Sequence, residues 1–143
     1  MNPPILTYSV TDIPAVVKTL HELLGFCKVM TFTGSLGAGK TTLVQELLRY
    51  EGVQDVIQSP TFNYVSLYTT PSGLRFYHFD LYRLSSVRDF MEAGFHEYLY
   101  DPNSYAFIEW PEIIMPILTK QVCHVRIDYV HEDARSIEYT CIK

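Results

Sequence analysis

Residues 34–42 read GSLGAGKTT, and this stretch constrains the fold more than any other. It satisfies the pattern G-x-x-x-x-G-K-[ST], with Gly34, Gly39, Lys40 and Thr41 in the fixed places. Glycines at both ends, and Gly37 between them, let successive backbone N–H groups turn into one concavity that suits an anion. Lys40 then reaches β- and γ-phosphates, and the Thr41 hydroxyl is placed to ligate Mg²⁺. A following helix adds the positive end of its dipole. The pattern requires a strand before the loop and a helix after it. Residues 27–33, CKVMTFT, form a β-rich apolar run. Residues 41–50 carry Leu43, Val44, Leu47 and Leu48 at helical spacing. Both flanks fit, so the chain is expected to bind a nucleoside triphosphate.

At 143 residues, residues 1–143 make a single domain, long enough to bury a core. The formal charge of −5 speaks against this chain alone gripping a polyanion. A nucleic acid would rather be held by a partner. Cys27, Cys123 and Cys141 include no C-x-x-C pair, so they are expected to be buried free thiols. No signal peptide and no apolar run of transmembrane length is seen, so no membrane role is expected and the cytoplasm is the expected compartment.

Along the chain, residues 1–7 read as an extended lead-in. Thr11 or Asp12 can cap a helix whose stripe is Ile13, Val16, Val17, Leu20 and Leu24, with Gly25 as its stop. A polar residue at the start of that helix, Thr11, is also a candidate contact to the nucleotide. Residues 59–62 read SPTF. Thr61 lies where nucleoside triphosphatases often place a switch threonine that senses Mg²⁺ and the γ-phosphate; the alternative is a loop ended by Pro60 and a strand opened by Thr61.

Residues 62–69 alternate in β fashion, residues 71–73 (PSG) turn, and residues 74–79 return, which reads as a hairpin. The segment then runs HFDLYR over residues 78–83. Asp80, at a strand end, can hold a metal-bound water or orient an attacking one. Arg83 can pair with Asp80, contact phosphate or contact a partner, and His78 reads as a hydrogen-bonded structural histidine or a proton carrier. Residues 85–100 read as one or two short helices broken at Gly94. Residues 104–110, SYAFIEW, form an apolar strand ending in Glu109, the form in which a neighbouring strand delivers its carboxylate to Mg²⁺. Trp110 reads as core or as an exposed anchor. Residues 121–130 and 135–142 are two more β runs joined by a turn; Arg135 beside it can stack on a base or brace the hairpin.

These parts predict an α/β fold, a single P-loop NTPase domain. It would have a mixed sheet with parallel core strands, antiparallel hairpin extensions and flanking helices. Hydrolysis by such a site rests on positioning and charge neutralisation. Lys40 and the loop amides stabilise phosphate oxygens, while Thr61, Asp80 and Glu109 are the further catalytic candidates. No strong general base stands out, so turnover is expected to be slow without a partner.

Four blocks in this order, GSLGAGKTT, SPTF, HFDLYR and EWPE at residues 109–112, carry a resemblance to a known family. The chain resembles the TsaE family (also called YjeE), small ATPases of bacterial tRNA threonylcarbamoyladenosine synthesis, from about residue 11 to residue 135. Residues 92–97, EAGFHE, are similar to that family's glycine–acid helix segment. The resemblance implies an ATPase that joins the TsaD and TsaB proteins. That pair transfers a threonylcarbamoyl group to the adenosine beside the anticodon, with tRNA reached only through the complex. It implies ATP and Mg²⁺ as ligands, with Thr41 and Glu109 on the metal and Gly37, Ala38, Gly39, Lys40, Thr41 and Thr42 around the phosphates. Ser35 departs from the acidic residue usual after the first loop glycine.

Three rivals remain at this stage. A small P-loop kinase needs an arginine-bearing lid, but the six arginines here are scattered. A GTPase needs an N-K-x-D guanine-reading motif, which is absent. A nucleotide-gated interaction module would use hydrolysis only to reset itself, with Thr61, Asp80 and Arg83 carrying nucleotide state to the partner face.

Overall fold

The computed structural model describes residues 5–58, 60 and 63–143. Its strands are β1 (Ile5–Tyr8), β2 (Val29–Thr33), β3 (Val65–Thr69), β4 (Arg75–Asp80), β5 (Ser104–Glu109), β6 (Val122–His131) and β7 (Ala134–Ile142). The α-helices are α1 (Ile13–Leu23), α2 (Lys40–Tyr50) and α3 (Val87–Glu92), joined by tighter 3-10 turns at Val10–Asp12, Phe95–Tyr98 and Pro111–Ile117.

All strands share one sheet in the order β1-β7-β6-β2-β5-β4-β3. The inner run β6-β2-β5-β4 is parallel, while β3 pairs antiparallel with β4, β7 with β6 and β1 with β7. This is the mixed sheet expected from the sequence. Strand β2 is central because Val29, Met30, Thr31 and Phe32 are all buried, so both its faces need cover.

Period-two alternation assigns the two faces. Met30, Phe32, Phe76, Phe107, Cys123, Val125 and Ile127 pack with the stripes of α1 and α2, namely Val16, Val17, Leu20, Leu43, Val44, Leu47 and Leu48. Val29, Tyr77, Phe79, Ala106, Ile108 and Val122 face Phe90, Leu99, Ile114 and Leu118 on the other side. Glu109 lies two residues past Phe107 and therefore belongs to the α2 face, the face of the glycine loop.

Two expectations need correcting. Neither Thr11 nor Asp12 supplies a side-chain cap to α1. The chain enters α1 through the Val10–Asp12 turn, where Ser9 N–H donates to Asp12 Oδ2 at 2.9 Å and the Thr11 and Ser9 hydroxyls bond at 2.9 Å. The Asp12 carboxylate takes both the N–H and the hydroxyl of Ser9, so it is turned back toward the preceding turn rather than to the first amides of α1. The extended lead-in is borne out over residues 5–7, which lie in β1. The cysteines are not all free thiols. Register sets Cys123 opposite Cys141, and the two form a disulfide, leaving Cys27 as the buried free thiol. Hairpin pairing erases a sequence separation of 18, which a search for close cysteine pairs does not see.

Candidate functional site

The loop between β2 and α2 is held open by two glycines. Gly34 has φ +145°, and a Cβ there would run into the Ile127 carbonyl of β6. Gly39 starts α2 in the left-handed region at φ 102°, which lets the first amides of the helix turn into the loop. The Lys40 ammonium is folded inward, donating to the Gly34 carbonyl and, at 3.1 Å, to that of Ser35. It also sits 3.8 Å from the centre of the Trp110 ring. Burial pushes its pKa below the usual lysine value, opposed by the carboxylates of Glu109, Glu112 and Asp80.

Parallel pairing of β2 with β5 brings Glu109 beside the loop. Thr41 Oγ1 donates to Glu109 Oε1 at 2.6 Å. Glu109 is 1% exposed, and its other oxygen, Oε2, accepts from Nε2 of the fully buried His78 at 2.6 Å. Asp80 stands opposite Glu109 in the β4–β5 register and accepts the Tyr82 N–H at 3.1 Å through Oδ1. Burial raises its pKa, the Tyr82 N–H opposes that rise, and the Glu109 carboxylate adds to it. Among the described residues no ion pair joins Asp80 to Arg83, which is exposed.

Trp110 follows Glu109 with φ 55° and ψ 56°. That left-handed turn reverses the chain and lays the indole over Lys40, with Tyr82 packed 4.8 Å from it centre to centre. It is half-buried, between the two sequence expectations of core and anchor.

Two clefts meet at the loop. One, of about 300 Å³, is walled by Leu36, Lys40, Thr41, Asp80, Glu109 and Trp110. The other, of about 140 Å³, lies between Tyr8, Ile13, Leu43 and Arg135. They share Ala38, Gly39 and Thr42, so both border the same loop and helix start. Arg135 lines the second cleft while its Nη1 donates to the His131 and Ala134 carbonyls and its guanidinium lies over the Tyr129 ring at 4.6 Å. It thus braces the hairpin and also faces the cleft. Thr11 is not among the lining residues; its neighbours Ser9 and Val10 are.

The structure therefore brings Gly37, Ala38, Gly39, Lys40, Thr41, Thr42, Asp80 and Glu109 to one cleft, with Arg135 on the second and Thr11 outside both. Thr61 lies outside the described residues. Sequence reading did not connect His78 to Glu109, though the signal exists: two residues before Asp80 on a strand, His78 shares its face. It did not foresee Tyr8 or the cover that Trp110 gives Lys40. Thr41 and Glu109 offer hard oxygens of the kind Mg²⁺ takes. Among the described residues no group of three or more His, Cys, Asp or Glu side chains is disposed to hold a metal. Among the described residues no helix is long and apolar enough to cross a membrane.

A mixed α/β domain with a glycine loop between its central strand and helix, and a carboxylate delivered by the adjacent parallel strand, is thus the class that fold and site define. The sequence profile of the family described as Threonylcarbamoyl adenosine biosynthesis protein TsaE matches residues 7–137, and the chain belongs to that family. A tRNA threonylcarbamoyladenosine biosynthesis protein TsaE from Rickettsia felis is 37% identical over 84% of this chain and 69% of its own length. The protein of the same description from Haemophilus influenzae is 42% identical over 73% of this chain and 65% of its own. One from Borreliella burgdorferi is 39% identical over 72% and 74%. The crystal structure of YdiB from Bacillus subtilis superposes with a TM-score of 0.70 at 24% identity, covering 100% of this chain and 89% of that one, a likeness of fold.

Proposed function

We propose that this chain is a P-loop NTPase, a Mg²⁺-dependent ATPase that hydrolyses slowly alone and supports threonylcarbamoyl transfer to tRNA by the TsaD and TsaB proteins in the cytoplasm. The observation that carries the reading is the 2.6 Å bond between Thr41 and Glu109, which joins the helix start after the glycine loop to the end of the next strand. Membership of a family described by threonylcarbamoyl adenosine biosynthesis supports the pathway.

In this reading the polyphosphate lies along residues 37–42, its oxygens taking the loop N–H groups and the dipole of α2. Lys40 leaves the Gly34 and Ser35 carbonyls for the β/γ oxygens, where its charge offsets the negative charge spreading in the transition state. Thr41 and Glu109 would hold the magnesium ion, which supplies charge neutralisation between phosphate oxygens. Asp80 and Thr61 orient the attacking water or report the γ-phosphate. The base occupies the cleft between Tyr8 and Arg135. Turnover is slow until the partners join, and the subunit supports repeated turnover without performing the transfer itself.

The test is ATP hydrolysis by the purified chain, alone and with a TsaD–TsaB pair plus tRNA, beside Lys40→Ala and Glu109→Ala. We expect slow hydrolysis that rises in the complex and falls by at least about 10²-fold in either variant, the scale of losing one preorganised charge-stabilising group. No stimulation by the partners would refute the assignment to that complex. Variants as active as the parent would refute the site.

A further inference from the structure

We infer that His78 is the positioning residue that fixes which carboxylate oxygen Glu109 turns to the metal; this rests on the ATPase reading above. Glu109 is buried, and its two oxygens have different partners: Oε1 takes the Thr41 hydroxyl and Oε2 takes His78 Nε2, each at 2.6 Å. A carboxylate has two equivalent oxygens and turns readily about its last bond. Different donors on the two oxygens remove that equivalence. With Oε2 engaged, Oε1 is the oxygen presented toward Thr41 and the loop.

Packing alone does not call for an imidazole here. His78 is fully buried on β4, two residues after Phe76 on the same face and opposite Phe107 on β5, so an aromatic hydrocarbon would suit that face. Its Nδ1 finds no hydrogen-bond partner among the described residues. The described hydrogen bond of the ring is therefore the one to Glu109, and because a carboxylate only accepts, Nε2 must carry the hydrogen. The Lys40 ammonium donates to the Gly34 and Ser35 carbonyls rather than to Glu109. The chain His78–Glu109–Thr41 runs from β4 through β5 to α2, an outer partner orienting an oxygen ligand as histidines and carboxylates do around other bound metals.

Two measurements test the assignment. First, nitrogen NMR of the intact protein labelled with ¹⁵N-histidine, without metal or nucleotide, should show the His78 ring protonated at Nε2; a ring protonated only at Nδ1 overturns the inference. Second, Mn²⁺ binding is followed by electron paramagnetic resonance with a non-hydrolysable ATP analogue, for the parent, His78→Phe and His78→Gln. Glutamine places an amide N–H close to where Nε2 lies. We expect His78→Phe to weaken Mn²⁺ about 10–100-fold, the cost typical of losing such an outer partner. His78→Gln should recover most of that loss, and metal-free binding of the analogue should be unchanged in both. Unaltered Mn²⁺ affinity in His78→Phe overturns the inference while leaving the ATPase reading intact, as does equal loss in both variants. A parent that binds no metal–nucleotide at all overturns the ATPase reading itself and the inference with it. If His78→Phe does not fold, the ring NMR and His78→Gln decide.

Discussion

At the scale of the residue, Gly34 is set by two independent constraints. Its φ of +145° favours glycine, and the Ile127 carbonyl occupies the place a Cβ would take. Gly73 meets only the first, with φ +90° and open space around it. Gly34→Ala should therefore cost more stability than Gly73→Ala. The backbone conformation alone is worth about 1–3 kcal/mol, and the crowding against β6 adds to it. Denaturant unfolding of the two variants measures the difference, and equal losses would show that β6 yields to the methyl group. The requirement for glycine was legible from the motif; its second cause was not, because Ile127 is remote in sequence and reaches the loop only through the sheet.

At the scale of the element, the β6–β7 hairpin combines its turn, the Arg135 brace and the Cys123–Cys141 bond. Closing a loop of 18 residues restricts the unfolded chain by about 3 kcal/mol, so Cys141→Ser should lower stability on that scale. Thiol titration at pH 8 gives a direct count. Burial raises the Cys27 pKa to about 11, so the native protein should react slowly, since the thiolate is the reactive form. Without reductant the unfolded chain should show one thiol, and after reduction three. Three without reductant would remove the disulfide. The hairpins and helices were legible because each rests on local periodicity and on a turn. The cysteine partnership was not, because it depends on register.

At the scale of the whole molecule, the two clefts around residues 38–42 make nucleotide binding a test of the entire fold, since their walls come from β1, α1, α2, β4, β5 and the β6–β7 turn. Mg-ATP at 100 times its Kd should stabilise the parent by about 2.7 kcal/mol in thermal unfolding, and Lys40→Ala should lose that gain. A shift that survives Lys40→Ala would place the ligand elsewhere. The sequence by itself determined the loop, its strand and helix, the two hairpins and the carboxylate at the end of β5, because each is encoded in adjacent residues by dihedral preference or hydrophobic period. Tertiary structure alone decided that His78 holds Glu109, that Trp110 covers Lys40, that Arg135 lines the second cleft while Thr11 stays outside it, and that Cys123 meets Cys141. A period of two says which face a side chain takes but not which strand lies beside it, and these contacts depend on that neighbour.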